Sequence, residues 1–152
     1  MNTRSEIIEK LQIASMAFNN ESCICSGEIE LIPSIIEDKE LHDLLIACWT
    51  RKEIYNGIIG LNPIRELLEN EFNAESIKFG MVQIGGGGNG DPILLNKAQN
   101  VFYFAHDEYN ESNFNKCTEI YGDLGDFLDK FIDFERIPSD TDDLRKHKSH
   151  NS

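Results

Sequence analysis

A glycine-rich segment from Gly85 to Asp91 is the first stretch whose residue types could do chemistry. Glycine-rich loops bind phosphate when their backbone N–H groups open a helix, usually with Gly-Lys-Ser/Thr or G-x-G-x-x-G at its start. Here residues 92–95 follow as Pro-Ile-Leu-Leu, which is typical of a strand, and Asp91 stands where an anion would bind. We therefore predict a β-turn between paired strands, with Gly90 at positive φ. The residues of this structural loop are Gly85, Gly88, Asn89, Gly90 and Asp91.

Two histidine-containing groups are the other candidates for chemistry. The consecutive residues from His106 to Glu108 have metal-ligand and acid–base types, but neighbours on a strand point to opposite faces, so the three cannot converge. Cys23-x-Cys25 with His42 offers zinc ligands at a spacing that matches no known class. No G-x-S-x-G or H-E-x-x-H motif is present. We therefore predict no catalytic residue, no metal and no cofactor, and reduced, mostly structural thiols.

Acidic residues are concentrated towards the C-terminal end. Residues 104–143 contain twelve Asp and Glu against three Lys and Arg. Such a surface is complementary to the basic cleft in which a nuclease holds phosphates, and it would bind there as a phosphate mimic. The alternative is a solvated helix face. The residues predicted to bind a partner are Asp107, Glu108, Glu111, Asp126, Asp129 and Asp133.

The elements that position these residues follow from periodicity and turn signals. Thr3 and Glu6 form a helix capping box, and Asn62 and Asp123 are further helix N-caps. Trp49 is predicted to be a core anchor. The predicted helices cover about residues 4–18, 33 or 34 to 49, 63–71 and 122–134. The predicted strands or bent turns cover about residues 28–31, 54–61, 77–84, 92–95 and 100–105, with a polar loop at 106–113.

Length and charge bound the class of protein. The chain has 152 residues, enough for one domain with a sizeable core, and no apolar run reaches the roughly 18 residues of a membrane span. The N-terminus lacks the apolar core of a signal peptide, which predicts a cytoplasmic protein. A formal net charge of −13 repels nucleic acid and anionic membranes and attracts cationic partners. We predict a binding domain over residues 1–137 and a disordered tail over 138–152.

The order of motifs in the second half resembles the SUKH superfamily, which includes bacterial immunity proteins and fungal cell-wall-synthesis regulators of the Smi/Knr type. The matching motifs are an I-G-x-x-G-x-G-D loop (residues 84–91), a short Ile/Leu strand (93–95), a V-[FY]-[FY]-[FW]-x-H-[DE] strand (101–108) and an acidic D-L-x-[DE]-F-L helix (123–128). The likeness covers about residues 77–134. The preceding residues lack the family's leucine-proline-x-x-[FY] segment.

The resemblance implies an α+β fold, with a twisted, mainly antiparallel sheet and helices packed on one side. It also implies a protein without catalytic activity that binds and neutralises a cognate toxin domain, often a nuclease. Two other hypotheses stay open at this point. One is an enzyme or small-ligand-binding protein that uses the glycine loop with His106, Asp107 and Glu108, and the other is a regulatory protein-interaction scaffold. The oligomeric state is not determined by the sequence.

Overall fold

The computed structural model describes residues 2–24, 38–69, 74–87, 90–103 and 117–133. These residues form an α+β domain, which confirms the predicted fold class. The helices are α1 (Arg4–Asn19), α2 (Lys39–Cys48), α3 (Ile64–Glu69), α4 (Ala74–Ile77) and α5 (Leu124–Ile132). The strands are β1 (Ile54–Tyr55), β2 (Gly60–Leu61), β3 (Met81–Gly86), β4 (Pro92–Asn96), β5 (Val101–Tyr103) and β6 (Thr118–Tyr121).

The six strands form one antiparallel sheet in which sequence neighbours are also spatial neighbours, in the order β1-β2-β3-β4-β5-β6. Strand residues alternate between the two faces of a sheet. One face carries Val82, Ile84, Ile93 and Leu95, which share a single core cluster with the buried apolar side chains of α1, α2, α3 and α5. The helices therefore pack on one side of the sheet, as predicted.

The opposite face of the sheet is here named the outer face. Leu94 lies on it and is fully buried, with Met81, Phe102 and Cys117 packed against it. None of these four residues belongs to a helix. Next to β1, the outer face has no side chains on β2 and β3 at the paired residues Gly60 and Gly86.

Local sequence signals account for the helix starts. The Thr3 side chain accepts from the Glu6 N–H at 3.2 Å while the Glu6 carboxylate accepts from the Thr3 N–H, so the predicted capping box is present. The Asp123 carboxylate accepts from the Gly125 N–H at 2.6 Å and caps α5, also as predicted. Trp49 is fully buried, and its Nε1 donates to the Asn62 carbonyl at 2.8 Å, which confirms its role in the core.

Two predicted boundaries are wrong, and the sequence did not predict the short elements α4 and β6. Helix α2 begins at Lys39 rather than near 33, because the Asp38 carboxylate accepts from the Leu41 N–H and caps the helix there. Residues 77–80 are not strand: α4 ends at Ile77, and a turn closed by Gly80 at φ 75° precedes β3. Strand β6 was not predicted at all. Strand β6 is short, and no local sequence pattern indicates its pairing with β5, which lies far away in the chain.

Several predictions fall outside the described residues. These are the exposed strand at 28–31, the polar loop at 106–113 and the tail at 138–152. No helix in the described part of the chain is long and apolar enough to cross a membrane.

Candidate functional site

The acidic residues of α5 lie on the solvent side of that helix. Its other side is buried through Leu124, Phe127, Leu128 and Phe131, which fixes the rotation of the helix against the sheet. Asp126 and Asp129 are exposed, and Asp133 caps the C-terminal end and is half-buried. The spacing i, i+3, i+7 places these three on one side, as the sequence predicted. Asp107, Glu108 and Glu111 lie outside the described residues.

Helix α1 runs beside α5 and modifies the charge of this acidic side. Lys10 Nζ lies 2.5 Å from Asp129 Oδ1, so one of the three carboxylates is partly neutralised within the protein. Among the residues that the structure describes, Asp126 has no such ion pair. Burial, with a smaller contribution from the Asp126 charge, raises the pKa of Tyr121 to about 12. Asp126, in the first turn, is therefore an exposed carboxylate that no Lys or Arg of the described residues neutralises.

The glycine loop is a hairpin connection between β3 and β4. The Gly90 N–H donates to the Gly87 carbonyl and the Gly87 N–H donates to the Asp91 carbonyl, both at 3.0 Å. Gly90 has a φ of 88°, the left-handed conformation predicted for it. Asp91 is only 2% exposed and therefore contributes nothing to the acidic surface. Of the other predicted loop residues, Gly88 and Asn89 lie outside the described part of the chain.

Gly85 has a packing role that its sequence position alone did not reveal. It follows a register shift in the β3–β4 pairing, between Gln83 and Gly85. A Cβ at Gly85 would lie 2.2 Å from the Gly60 carbonyl oxygen, so β2 and β3 approach each other more closely than any side chain would permit. This close approach brings the hairpin of β1 and β2 against the base of the glycine loop.

An open groove of about 300 Å³ results at this end of the sheet, lined by Glu53, Tyr55, Gly60, Asn62, Gly86 and Gly87. Its floor is glycine backbone, while the walls are the exposed Glu53 carboxylate and the Tyr55 ring, which is 54% exposed. Glu53, Tyr55 and Asn62 are not among the site residues predicted from the sequence. The available signal was the pattern Glu53-Ile54-Tyr55, in which a buried residue separates two exposed ones.

The candidate zinc ligands do not assemble within the described residues. No group of three or more His, Cys, Asp and Glu side chains is placed there to hold a metal ion. Cys23 is buried, and its Sγ accepts from Asn19 Nδ2 at 3.4 Å. The ring of His42 lies beside Asp43 instead, with 3.4 Å between Nδ1 and Oδ1. Cys25 and the His106–Glu108 group lie outside the described residues.

Comparison with known proteins returned no match: no family model, no curated protein and no solved structure is significantly similar to this chain. The features of this chain that bear on its function are the acidic side of α5, the groove and the motifs of the sequence.

Proposed function

We propose that this chain is a non-enzymatic immunity protein of the SUKH type, which binds a cognate toxin domain in the cytoplasm and neutralises it. The expected target is a basic domain, foremost a nuclease. The observation that carries the proposal is the separation of charge on α5. One side of the helix is buried in the core, and the other side carries Asp126, Asp129 and Asp133.

The spacing of these carboxylates supports a phosphate-mimicking role. From Asp126 to Asp133 an α-helix rises by about 10 Å. One strand of a nucleic acid carries about three phosphates over that length. A rigid helix therefore holds three negative groups at a density similar to that of the natural ligand of a nuclease. The helix backbone is already ordered before binding, which lowers the entropic cost of association.

The wider charge balance supports the same kind of partner. Residues 118–133 contain five Asp and Glu and one Lys, within a chain of net charge −13. Long-range attraction between such a surface and a basic domain accelerates their association, and salt screens that acceleration. The ion pair between Lys10 and Asp129 leaves Asp126 as an exposed carboxylate of α5 that has no ion pair in the described part of the chain. The motif order that resembles the SUKH superfamily includes this helix as its final element.

A charge-reversal experiment tests the proposal. The toxin domain expected from the adjacent gene is produced, and its association with the wild-type chain is followed by stopped-flow fluorescence at low and high salt. Asp126→Lys with Asp129→Lys is expected to slow association at least about tenfold at low salt, because steering contributes factors of 10 to 1,000. Chemical denaturation checks the folding of the variant, because Asp129→Lys replaces the ion pair with Lys10 by a like-charge contact that costs up to about 1 kcal/mol.

The matched control changes the net charge by the same amount elsewhere. Glu40→Lys with Asp43→Lys alters two acids of α2, in a different part of the surface. This control should associate nearly as fast as the wild-type chain. Equal slowing in both variants would show that only net charge matters, and an unchanged rate in the α5 variant would exclude this side of α5 as the binding surface.

A further inference from the structure

The groove at the β1 end of the outer face is built around one glycine. A Cβ at Gly60 would lie 3.7 Å from both Glu53 Oε2 and Tyr55 Cδ2. The Glu53 carboxylate and the Tyr55 ring therefore both lie next to Gly60. Gly86, paired with Gly60 on β3, continues the floor without a side chain. A flat, uncharged floor thus lies beside an aromatic face and a negative group.

The Tyr55 ring, which forms the aromatic wall of the groove, is already held by a hydrogen bond within the protein. Tyr55 Oη donates to the Gly57 carbonyl at 3.0 Å, and Gly57 adopts a φ of 97° in the turn between β1 and β2. This hydrogen bond restricts the rotation of a ring that is 54% exposed. An exposed ring fixed in this way offers a stacking surface at a low cost in side-chain entropy.

The acidic wall is available to an external cation. Lys52, the neighbouring cation in the sequence, forms an ion pair with Glu21 instead. No ion pair to the Glu53 carboxylate occurs within the described ranges of the chain. The backbone of Glu53 is anchored, because Asn19 Nδ2 donates to its carbonyl at 2.9 Å.

We propose that this groove binds an arginine side chain of a basic protein partner. A guanidinium group is planar, so it can stack on the Tyr55 ring while its N–H groups bind the Glu53 carboxylate. The chain's net charge of −13 favours a cationic ligand over a neutral or anionic one. The groove thereby adds a specific contact to the long-range attraction of α5. The identity of the partner rests on the proposed function, whereas the chemistry of the groove does not.

The groove is tested first with a small probe. Amide chemical shifts of the ¹⁵N-labelled chain are recorded during titration with Nα-acetyl-arginine-N-methylamide. Saturable shifts are expected at Tyr55, Gly60, Gly86 and Gly87. The neutral isostere Nα-acetyl-citrulline-N-methylamide should bind about tenfold more weakly, because it loses the charge-assisted hydrogen bonds. Equal shifts with both probes, or no shifts at the highest soluble concentration, would overturn the proposal.

Three variants separate the parts of the groove. Glu53→Gln removes the charge, Tyr55→Ala removes the ring, and Gly60→Ala places a methyl group on the floor without a steric clash. Each should reduce the arginine-induced shifts at least about fivefold, the scale of one lost contact. Glu40→Gln and Phe79→Ala are the matched controls, since Glu40 is an exposed acid and Phe79 an exposed aromatic residue outside the groove. Arginine binding should be unchanged in both, and an equal loss in the controls would overturn the assignment.

A second measurement uses the basic domain of the adjacent gene. In the complex, Glu53→Gln and Tyr55→Ala should raise the dissociation rate, whereas the charge reversal on α5 should lower the association rate. One outcome is that the domain binds with a dissociation rate that is the same for Glu53→Gln, Tyr55→Ala and the wild-type chain. In that case the groove proposal fails and the proposed function stands. If the domain does not bind at all while arginine still shifts the groove amides, the proposed partner fails and the groove assignment stands.

Discussion

The side-chain amide of Asn56 joins the β1–β2 turn to the end of α5. Its Nδ2 donates to the Phe131 carbonyl at 3.1 Å, one of the helix-terminal carbonyls that lack a partner within the helix. Its Oδ1 accepts the N–H groups of Ile58 and Ile59 at 2.9 and 2.8 Å. Asn56 is 5% exposed, so these bonds lie in the protein interior. One residue therefore ties the groove hairpin to the acidic helix.

The first prediction follows from that relationship. Asn56→Ala should lower the free energy of unfolding by about 2–3 kcal/mol, because it leaves one carbonyl and two N–H groups buried without this partner. Chemical denaturation measures the change. The control is Gln12→Ala, which removes an exposed amide from α1 and should stay within about 0.5 kcal/mol. A loss below about 0.5 kcal/mol in Asn56→Ala would contradict the structural role of Asn56.

The second prediction contrasts the two glycines at the β2–β3 contact. Gly85→Ala should destabilise the protein by about 2 kcal/mol or more, because its Cβ would lie 2.2 Å from the Gly60 carbonyl oxygen and the strands would have to separate. Gly60→Ala meets no atom closer than 3.7 Å and should be tolerated within about 1 kcal/mol. Thermal and denaturant unfolding of the two variants check this. Similar losses in both would show that the close approach is absent.

The third prediction concerns Ser15, whose hydroxyl is fully buried in α1 and has no hydrogen-bond partner among the described residues. Ser15→Ala should raise the free energy of unfolding by about 1 kcal/mol. It removes a buried polar group and improves helix propensity. Ser5→Ala on the exposed side of α1 is the control and should show at most the propensity effect, about 0.5 kcal/mol. Destabilisation by Ser15→Ala would mean that the hydroxyl contributes to the fold.

The fourth prediction is an alkaline loss of stability through Tyr121, which is 8% exposed. Burial, followed by the Asp126 charge, raises the pKa of this phenol from 10 to about 12. The folded state therefore favours the protonated form of Tyr121. Its contribution to the free energy of unfolding is fully present below pH 10 and is lost as the pH rises towards 12. The loss should be about 2 kcal/mol relative to Tyr121→Phe, which lacks the titrating group.

Two measurements check the Tyr121 titration. Unfolding of the wild-type chain and of Tyr121→Phe is compared at neutral and alkaline pH, and tyrosinate absorbance follows the ionisation directly. Asp126→Asn should move the Tyr121 titration to lower pH, because it removes the nearby negative charge. A Tyr121 titration that ignores Asp126→Asn would show that burial alone accounts for the raised pKa.

Local chemistry determined much of this protein from the sequence alone. The capping residues Thr3 and Asp123 set the starts of α1 and α5, because a side-chain oxygen beside an N-terminal N–H acts within a few residues. The apolar repeat of α5 determined which side is buried, and with it where Asp126 and Asp129 lie. The Asn89-Gly90 signal determined the hairpin and the positive φ of Gly90.

Tertiary structure decided the features that depend on distant residues. The turn ending at Gly80 replaced the first part of a predicted strand, and β6 exists only through its pairing with β5. The ion pair of Lys10 with Asp129 and the groove around Gly60 join segments far apart in the chain, so no local pattern contains them. Strand pairing and side-chain packing depend on contacts throughout the core. A short sequence window determines only local conformational preferences, and the core stabilises one combination of them.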